Sequence, residues 1–257
     1  TTLYAYTQVQ GQTHAERRKA AEQLAERLKQ HELDLATMRA VLQAQEIPVP
    51  DGNVAVKVAR NSDVDKRRFE GEWKNLICLN HPNVVEAYGG GVYKGRPYYA
   101  MELMRNIVPT GKVRALLNIA QKIEIVLQGA RGLGYLHTNG IVHRDVKPDN
   151  LVTCEVAPGQ YTTKVTDLGI AKNLEAQLGL TQTQTVMGTP YYMSPEQVKS
   201  SRSVDSRADI YSLGATLYEF VTGRRPFHDK TTVYEIILAV GQGEEPQLQA
   251  RALDRLD

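Results

Sequence analysis

The sequence predicts an α+β fold, with strands in the first half of the chain and helices in the second. Apolar residues alternate at 54–58, which is typical of a strand, and two further strands are predicted near 84–92 and 98–103, joined by a hairpin turn. Apolar residues at helical spacing follow from 119 to 136. With 257 residues, of which 42% are hydrophobic and 23% charged, the chain is long enough to form one sizeable buried core or two lobes.

Residues 14–44 are predicted to form a long helix. Strong helix formers dominate this segment, neither Gly nor Pro occurs between His14 and Gln45, and Pro48 and Pro50 end the helix. One stripe of apolar residues runs along it, which fits either an amphipathic helix packed on its own domain or a short coiled-coil or partner-binding helix. The stripe consists of Leu24, Leu28, Leu35, Met38 and Leu42.

The second half of the chain begins with a long helix that Asn139-Gly140 is predicted to end. Two short strands are expected after residue 150. A further helix is expected to end at Gly223, before Pro226, and a last one to span 233–240. The predicted buried face of the long helix comprises Ile119, Ile123, Val126, Ala130, Leu133 and Leu136.

Composition excludes several classes of protein. A formal net charge of +2, from 31 basic and 29 acidic residues, argues against nucleic acid or an anionic membrane as the main partner. No apolar run approaches the roughly 20 residues of a membrane-spanning helix, and no signal peptide is visible. Cys78 and Cys154 are expected to be buried thiols in a reducing compartment. These features predict a cytoplasmic protein, and the lack of an initiator Met predicts a piece of a longer one.

The most informative segment is HRDVKPDN, from His143 to Asn150, followed by DLG from Asp167 to Gly169. The first matches the pattern H-R-D-L-x-x-x-N and the second D-F-G, with Leu168 in place of Phe. The chain therefore resembles a eukaryotic-type Ser/Thr protein kinase, and the SPEQ sequence near residue 195 is more typical of bacterial members. The resemblance implies a two-lobed, protein-kinase-like fold that uses ATP and Mg²⁺.

The resemblance implies a nucleotide site built largely from the first half of the chain. Lys57 in AVKVAR matches the lysine that pairs with the α- and β-phosphates and with a helix glutamate. Counting back from HPNVV, Glu72 matches that glutamate, with Glu70 as the less favoured alternative. Ala55 and Leu151 would sandwich the adenine ring between them. Met101 matches the gatekeeper, and the hinge residues Glu102 and Leu103 would form backbone hydrogen bonds with adenine.

The resemblance also implies the catalytic roles. Asp145 would orient a substrate hydroxyl and accept its proton, and Lys147 would neutralise the γ-phosphate. Asn150 and Asp167 would hold Mg²⁺ between phosphate oxygens. Thr189, in the segment GTPYYMSPEQ, would hold Asp145 and Lys147 in position. Because a lysine two residues after the catalytic aspartate resembles Ser/Thr kinases, the implied acceptor is a hydroxyl group of a protein.

Regulation and support of the catalytic loop are implied as well. Arg144 is a cation with which a phosphate on the activation segment could pair. Thr181 and Thr183 align with threonines that bacterial relatives phosphorylate on themselves. Asp209 would accept hydrogen bonds from the backbone of the catalytic loop, the alternative being an ordinary acidic residue at a helix N-terminus.

The sequence departs from the family pattern at both ends. No G-x-G-x-x-G-x-V precedes Lys57. We therefore expect 1–50 to be a helical extension that replaces the glycine-loop region, 51–104 to form an atypical small lobe, and 105–257 a truncated large lobe. We expect the last helices of the large lobe to be missing, together with the arginine that usually pairs with Glu196, whose carboxylate would then be buried and unpaired.

Three functions follow from these observations. An active Ser/Thr protein kinase is favoured, because every charged catalytic position is filled. A pseudokinase or scaffold with a remodelled nucleotide site is the main alternative, and it rests on the missing glycine loop. A small-molecule phosphotransferase is the third, but Arg144, Lys147 and the GTPYYMSPE segment argue against it. The expected partners are a protein substrate and a helix-bound partner at 14–44, with no nucleic acid and no membrane segment.

Overall fold

The structure, a computed structural model, divides into two compact units. The first comprises Thr1–Cys78 and Glu86–Asn106, and the second comprises Leu79–Val85 and Ile107–Asp257. The predicted helix over 14–44 lies outside the residues that the structure describes. The described residues are 2–4, 54–58, 74, 76–93, 95–168, 190–199 and 204–247.

The first unit contains a four-stranded antiparallel sheet. In the order of the sheet its strands are β1 (Thr2–Tyr4), β2 (Val54–Val58), β4 (Arg96–Glu102) and β3 (Ala87–Tyr93). Gly95, in the turn between β3 and β4, has φ of +72°, a conformation that glycine adopts without strain. The three strands predicted in this region are therefore present, and the edge strand β1 is one that the sequence analysis did not predict.

The two faces of this sheet have different chemistry. Side chains alternate between faces along a strand. On one face Val58, Tyr98 and Ala100 form an apolar core, against which the half-buried Val54 and Val56 pack. The residues between them in β2 and β4 lie on the other face, and this face carries the lysine of the sequence motif.

The second unit is mainly helical. Its helices are α1 (Thr110–Leu116), α2 (Ile119–Thr138), α3 (Pro195–Lys199), α4 (Ser206–Thr222) and α5 (Val233–Gln242). Between α2 and α3 a hairpin is formed by β5 (Leu151–Ala157) and β6 (Gln160–Val165). Short 3-10 turns at Pro148–Asn150 and Pro190–Tyr192 precede β5 and α3.

Helix α2 begins and ends at local signals. A capping box of Asn118 and Gln121 begins it, and Asn139 and Gly140 end it as predicted. One part of its predicted buried face is wrong, because Ile123 is 50% exposed and Ile125 is fully buried instead. The described contacts of α2 with α4 and β6 select a neighbouring stripe of the same helix.

The segment 79–85 is held by close backbone contacts to other parts of the second unit. Val85 and Val165 are joined by a backbone hydrogen bond of 3.0 Å, and the Val165 N–H donates to the Asn83 carbonyl at 2.8 Å. Helix α2 passes so near that a Cβ atom on Gly132 would lie 2.3 Å from this carbonyl oxygen. Only glycine permits this close approach of the helix to the segment 79–85.

Helix α4 carries a buried polar stripe. Asp209, Ser212, Thr216 and Glu219 recur at helical spacing, and all four are buried. The helix ends, as predicted, at Gly223, which has φ of +73°. Because buried polar groups require partners, the stripe indicates that α4 anchors other polar segments of this unit.

Two expectations about individual side chains are wrong. Cys78 is exposed, whereas Cys154 is buried as expected. The side chain of Glu196 is half-buried rather than fully buried, so water solvates part of its charge. Within the described ranges, no helix is both long enough and apolar enough to cross a membrane.

Candidate active site

The loop from 143 to 150 is anchored on the first residue of the polar stripe. The Asp209 carboxylate is fully buried and accepts hydrogen bonds from the backbone N–H of His143 at 2.8 Å and of Arg144 at 2.7 Å. The His137 Nε2 lies 2.8 Å from the same carboxylate. The prediction that Asp209 supports this loop is confirmed, because three groups converge on a carboxylate that water does not reach.

The ring of His143 joins the loop to the strand beside it. The Asp145 N–H donates to His143 Nδ1 at 3.2 Å, so this nitrogen carries no proton. The ring proton therefore lies on Nε2, which donates to the Thr166 carbonyl at 2.9 Å. The buried, neutral imidazole of His143 thus holds the backbone at two places, at the predicted catalytic residue Asp145 and at Thr166.

The Asp145 carboxylate is held by two neighbours in the same loop. Its Oδ2 accepts hydrogen bonds from Lys147 Nζ at 2.9 Å and from Asn150 Nδ2 at 3.3 Å. Asn150 also donates to the Asp145 carbonyl at 2.7 Å. The Asp145 and Lys147 side chains are 21% and 22% exposed. The carboxylate is therefore fixed in orientation, yet it stays within reach of solvent.

The two predicted metal ligands lie in connected segments. Asn150 is buried, and its carbonyl accepts a hydrogen bond from the Thr166 N–H at 2.9 Å. Asp167 follows directly and has φ of +54°, in the left-handed region. The next residue, Leu168, is 1% exposed. A buried apolar side chain thus anchors the backbone next to the aspartate.

Both the backbone and the side chain of Arg144 are held by residues distant in sequence. Arg144 has φ of +63°, its Nη2 donates to the Val204 carbonyl at 3.0 Å, and its own carbonyl accepts from Gln197 Nε2 at 2.9 Å. Burial lowers the pKa of its guanidinium, an effect that Asp209 partly offsets. These hydrogen bonds thereby connect the loop to the chain at Gln197 and at Val204.

A second buried network fixes the segment around Tyr192. The Tyr192 hydroxyl donates to Glu219, and its carbonyl accepts from Ser212 Oγ at 2.6 Å. Glu219 also accepts from Arg114 Nη1 at 2.6 Å, which ties in α1. Burial and the Glu219 carboxylate raise the pKa of Tyr192 far above its ordinary value of 10.0. The polar stripe of α4 therefore positions two separate segments.

In the first unit, strand register brings three predicted nucleotide-binding residues onto one face of the sheet. Ala55 lies opposite Met101, and Lys57 lies opposite Tyr99. Lys57 is 3% exposed, and its Nζ lies 5.6 Å from the centre of the Tyr99 ring. The buried ammonium and the apolar residues thus share the face opposite the core of Val58 and its neighbours.

The predicted hinge is tethered at its first residue. The Glu102 N–H donates to the Glu86 carbonyl at 2.9 Å, and the Glu102 Oε1 accepts from the Glu86 N–H at 2.9 Å. Any adenine contact by the Glu102 backbone must therefore use its carbonyl oxygen. Leu103, the next hinge residue, is half-buried.

Several predicted site residues lie outside the described part of the chain. They are Glu72, Thr181, Thr183 and Thr189. The described residues include two functional candidates that the sequence analysis did not single out. Gln197 had a signal, since S-x-x-Q at 194–197 is a capping-box pattern, but the contact of Tyr192 with Glu219 had none.

Comparison with known proteins identifies the class of this chain. The family model for the protein kinase domain matches residues 47–249. The chain belongs to the protein kinase family.

Curated relatives agree with this class. Serine/threonine-protein kinase PknB of Mycobacterium leprae (strain TN) is 40% identical over 189 residues, which cover 68% of this chain and 29% of that protein. The probable serine/threonine-protein kinase PknB of Lactococcus lactis subsp. lactis (strain IL1403) is 34% identical over 208 residues, covering 79% and 32%. The chain thus spans less than a third of the length of these relatives.

A solved structure shows the same fold. The crystal structure of Rad53 residues 1–466 in complex with AMP-PNP matches with a TM-score of 0.61 at 27% identity, over 79% of this chain and 49% of that one. The predicted α+β, protein-kinase-like fold is confirmed, and so is the resemblance to bacterial Ser/Thr kinases.

Proposed function

We propose that this chain is a Ser/Thr protein kinase that transfers the γ-phosphate of Mg-ATP to a hydroxyl group of a protein. The observation that carries the proposal is the Asp145 carboxylate, held by Lys147 and Asn150 in a loop that Asp209 anchors. Phosphoryl transfer depends mainly on positioning and on neutralising charge. A carboxylate fixed beside an ammonium, and open to solvent, meets both needs.

In the second unit each polar residue has one proposed task. Asp145 orients the acceptor hydroxyl and takes its proton, and Lys147 neutralises the γ-phosphate. Asn150 and Asp167 are the proposed Mg²⁺ ligands. Oxygen donors of this kind suit Mg²⁺, which is commonly held by one or two carboxylates together with phosphate oxygens and water. Leu151, which is 4% exposed, is proposed to contact adenine.

In the first unit the shared face of the sheet supports the nucleotide-binding roles. Lys57 is proposed to pair with the α- and β-phosphates and with Glu72, and Ala55 is proposed to contact adenine. Met101 is the proposed gatekeeper, ahead of the hinge residues Glu102 and Leu103. The register that places Lys57, Ala55 and Met101 on one face supports these assignments.

The remaining sequence-based assignments stay proposals. Thr189 is proposed to brace Asp145 and Lys147. We also propose that 1–50, apart from strand β1 (Thr2–Tyr4), form a helical extension ahead of a small lobe at 51–104 and a large lobe at 105–257. Within the extension, the helix at 14–44 would cover apolar surface on its own lobe or on a partner.

The test is transfer of ³²P from Mg-ATP to a generic protein substrate. Lys57→Met should lower transfer by about 10- to 100-fold, because it removes charge-assisted contacts worth about 1.5–3 kcal/mol. Lys112→Met, at an exposed position of α1, should retain parental activity. Chelation of Mg²⁺ should abolish transfer by the parent chain.

The missing glycine-loop motif favours one alternative, a pseudokinase or scaffold. Backbone N–H groups of that loop normally contact the phosphates. A pseudokinase would transfer no phosphate above background, and Lys57→Met would then equal the parent in the same assay. Nucleotide-dependent protection against thermal unfolding without transfer would identify this outcome.

We propose that phosphorylation of the activation segment regulates the enzyme through Arg144. A guanidinium binds phosphate oxygens in a two-pronged geometry, which suits Thr181 and Thr183 as sites of self-phosphorylation. Phosphopeptide mapping after incubation with Mg-ATP should find phosphate on one of these threonines. Lys57→Met treated in parallel should acquire phosphate there much more slowly than the parent chain. Full activity of a chain with no phosphate on either threonine would reject this mechanism.

A further inference from the structure

The peptide group between Arg144 and Asp145 is held at both of its polar ends by side chains. Its carbonyl accepts a hydrogen bond from Gln197 Nε2 at 2.9 Å, and its N–H donates to His143 Nδ1 at 3.2 Å. The residue that follows this peptide is the proposed catalytic base. A rotation of the peptide plane would therefore move the carboxylate away from Lys147 and Asn150, which now hold it.

The amide of Gln197 can adopt only one orientation at this position. Its Oε1 accepts from the backbone N–H of Ser194 at 3.0 Å, while its Nε2 donates to the Arg144 carbonyl. The Ser194 hydroxyl in turn accepts from the Gln197 N–H at 3.4 Å, completing a capping box at the start of α3. Ser194 is fully buried. An N–H can only donate and a carbonyl can only accept, so the two ends of the amide cannot be exchanged.

The backbone at Arg144 needs such support. Its φ of +63° lies in the left-handed region, which a residue with a side chain occupies only when its surroundings enforce it. The Asp209 carboxylate fixes the N–H of Arg144, and Gln197 fixes its carbonyl. Capping of α3 alone would use only the acceptor oxygen of Gln197. The donor nitrogen is directed at the catalytic loop, 53 positions earlier in the chain.

We infer that Gln197 is a positioning residue for the proposed phosphoryl transfer, on which this inference rests. It holds the Arg144–Asp145 peptide and, through it, sets the direction of the catalytic carboxylate. Helix α3 follows the activation segment, so the same amide couples the start of this helix to the catalytic loop. Gln197 itself touches neither nucleotide nor acceptor in this assignment.

Gln197→Glu separates the two roles of the side chain. A glutamate keeps an oxygen for the Ser194 N–H and is a usual partner in a capping box, but it places a second oxygen against the Arg144 carbonyl. We expect kcat to fall about 10- to 100-fold, as misplacement of a catalytic group does, while KM for ATP and the melting temperature stay close to those of the parent chain.

Ser194→Ala is the matched control, since it removes the capping hydroxyl and leaves Nε2 of Gln197 in place. It should lower the melting temperature and keep kcat within about two-fold of the parent. A parental kcat in Gln197→Glu would overturn the inference. So would a loss of kcat in Ser194→Ala as large as that in Gln197→Glu, because capping would then account for both effects.

A second measurement does not depend on turnover. Amide hydrogen exchange, followed by NMR on the full chain, should be faster at Asp145 in Gln197→Glu than in the parent chain. Exchange at His143, whose N–H is bonded to Asp209, should be unchanged. If the parent chain transfers no phosphate, the proposed function fails and this comparison still decides the inference. Equal exchange rates at Asp145 in the two proteins would overturn it.

Discussion

The catalytic loop of the second unit and the Lys57 strand of the first unit position their polar side chains by different means. In the loop, two groups distant in sequence, Asp209 and Gln197, bind the backbone of Arg144 and so fix the residue that follows it. In the strand, pairing of β2 with β4 sets the face on which each side chain lies. Regular backbone hydrogen bonds of the strand thus do what buried side chains do in the loop, which is to fix the position of the backbone.

This difference has a consequence for mutations. Strand register is set by many backbone groups, so replacing one side chain in β2 leaves the geometry of its neighbours intact. The loop depends on single buried atoms, and the loss of one acceptor leaves several N–H groups unpaired. Substitutions that disable Lys57 should therefore affect activity more than stability, while replacement of the buried Asp209 beneath the loop should affect activity and stability together.

The largest effect that would sharpen this comparison is expected for Asp209→Asn. The amide offers one acceptor oxygen where the carboxylate offers two, and its NH2 group must face either the His143 N–H or the Arg144 N–H, which then loses its acceptor. The free energy of unfolding should fall by roughly 2–4 kcal/mol, since buried donors lose their partners. Urea unfolding measures this change, and phosphate transfer should be lost as well.

Asp205→Asn is the matched control for this prediction. It makes the same chemical change on the same helix, at an exposed N-cap where asparagine caps as well as aspartate. Its ion pair with Arg207 is exposed to solvent, which screens it, so loss of this pair should change stability little. If both variants lost equal stability, the view of Asp209 as the anchor of the loop would be contradicted.

A smaller effect is expected for Tyr192→Phe, which removes a buried hydrogen bond to Glu219. The variant should lose about 1–2 kcal/mol of stability near neutral pH. Because the pKa of Tyr192 is raised in the native protein, its contribution is complete below the ordinary pKa of 10.0 and declines as the pH rises above that value. The difference between parent and variant should therefore narrow in strongly alkaline solution.

Thermal unfolding between pH 8 and 11 measures this narrowing. Tyr191→Phe serves as the control for this measurement. The Tyr191 ring packs against Arg225, and loss of its hydroxyl leaves the buried network of Tyr192 and Glu219 intact. A constant difference between parent and Tyr192→Phe over this range would show that ionisation of Tyr192 does not contribute.

Much of the fold could be predicted because its signals are local. The ends of α2 and α4 lie at Asn139-Gly140 and Gly223, where short-range capping decides the backbone. The burial of Ile123 was predicted wrongly, because periodicity defines a stripe but tertiary contacts choose between adjacent ones. Strand β1, with only three residues, is too short for alternation to reveal.

The candidate site likewise combines contacts that are local in sequence, which could be predicted, with distant contacts, which could not. The spacing of Asp145, Lys147 and Asn150 is local, and the structure brings these three side chains together. The contacts of Gln197 with Arg144 and of Arg114 with Glu219 span 53 and 105 positions. Neither composition nor periodicity encodes such pairs, since only the folded chain brings them within hydrogen-bonding distance.

The central claim is that Asp145 performs the transfer step. Its most direct test compares Mg-ATP-dependent phosphate transfer by the parent chain, Asp145→Asn and Asp149→Asn, with nucleotide binding measured for each. Asp149 is an exposed residue of the same loop, and its variant should transfer within about three-fold of the parent. Asp145→Asn should bind nucleotide normally and transfer about 10²–10⁴-fold more slowly, as expected for loss of a general base. Transfer by Asp145→Asn near the parental rate would contradict the assignment.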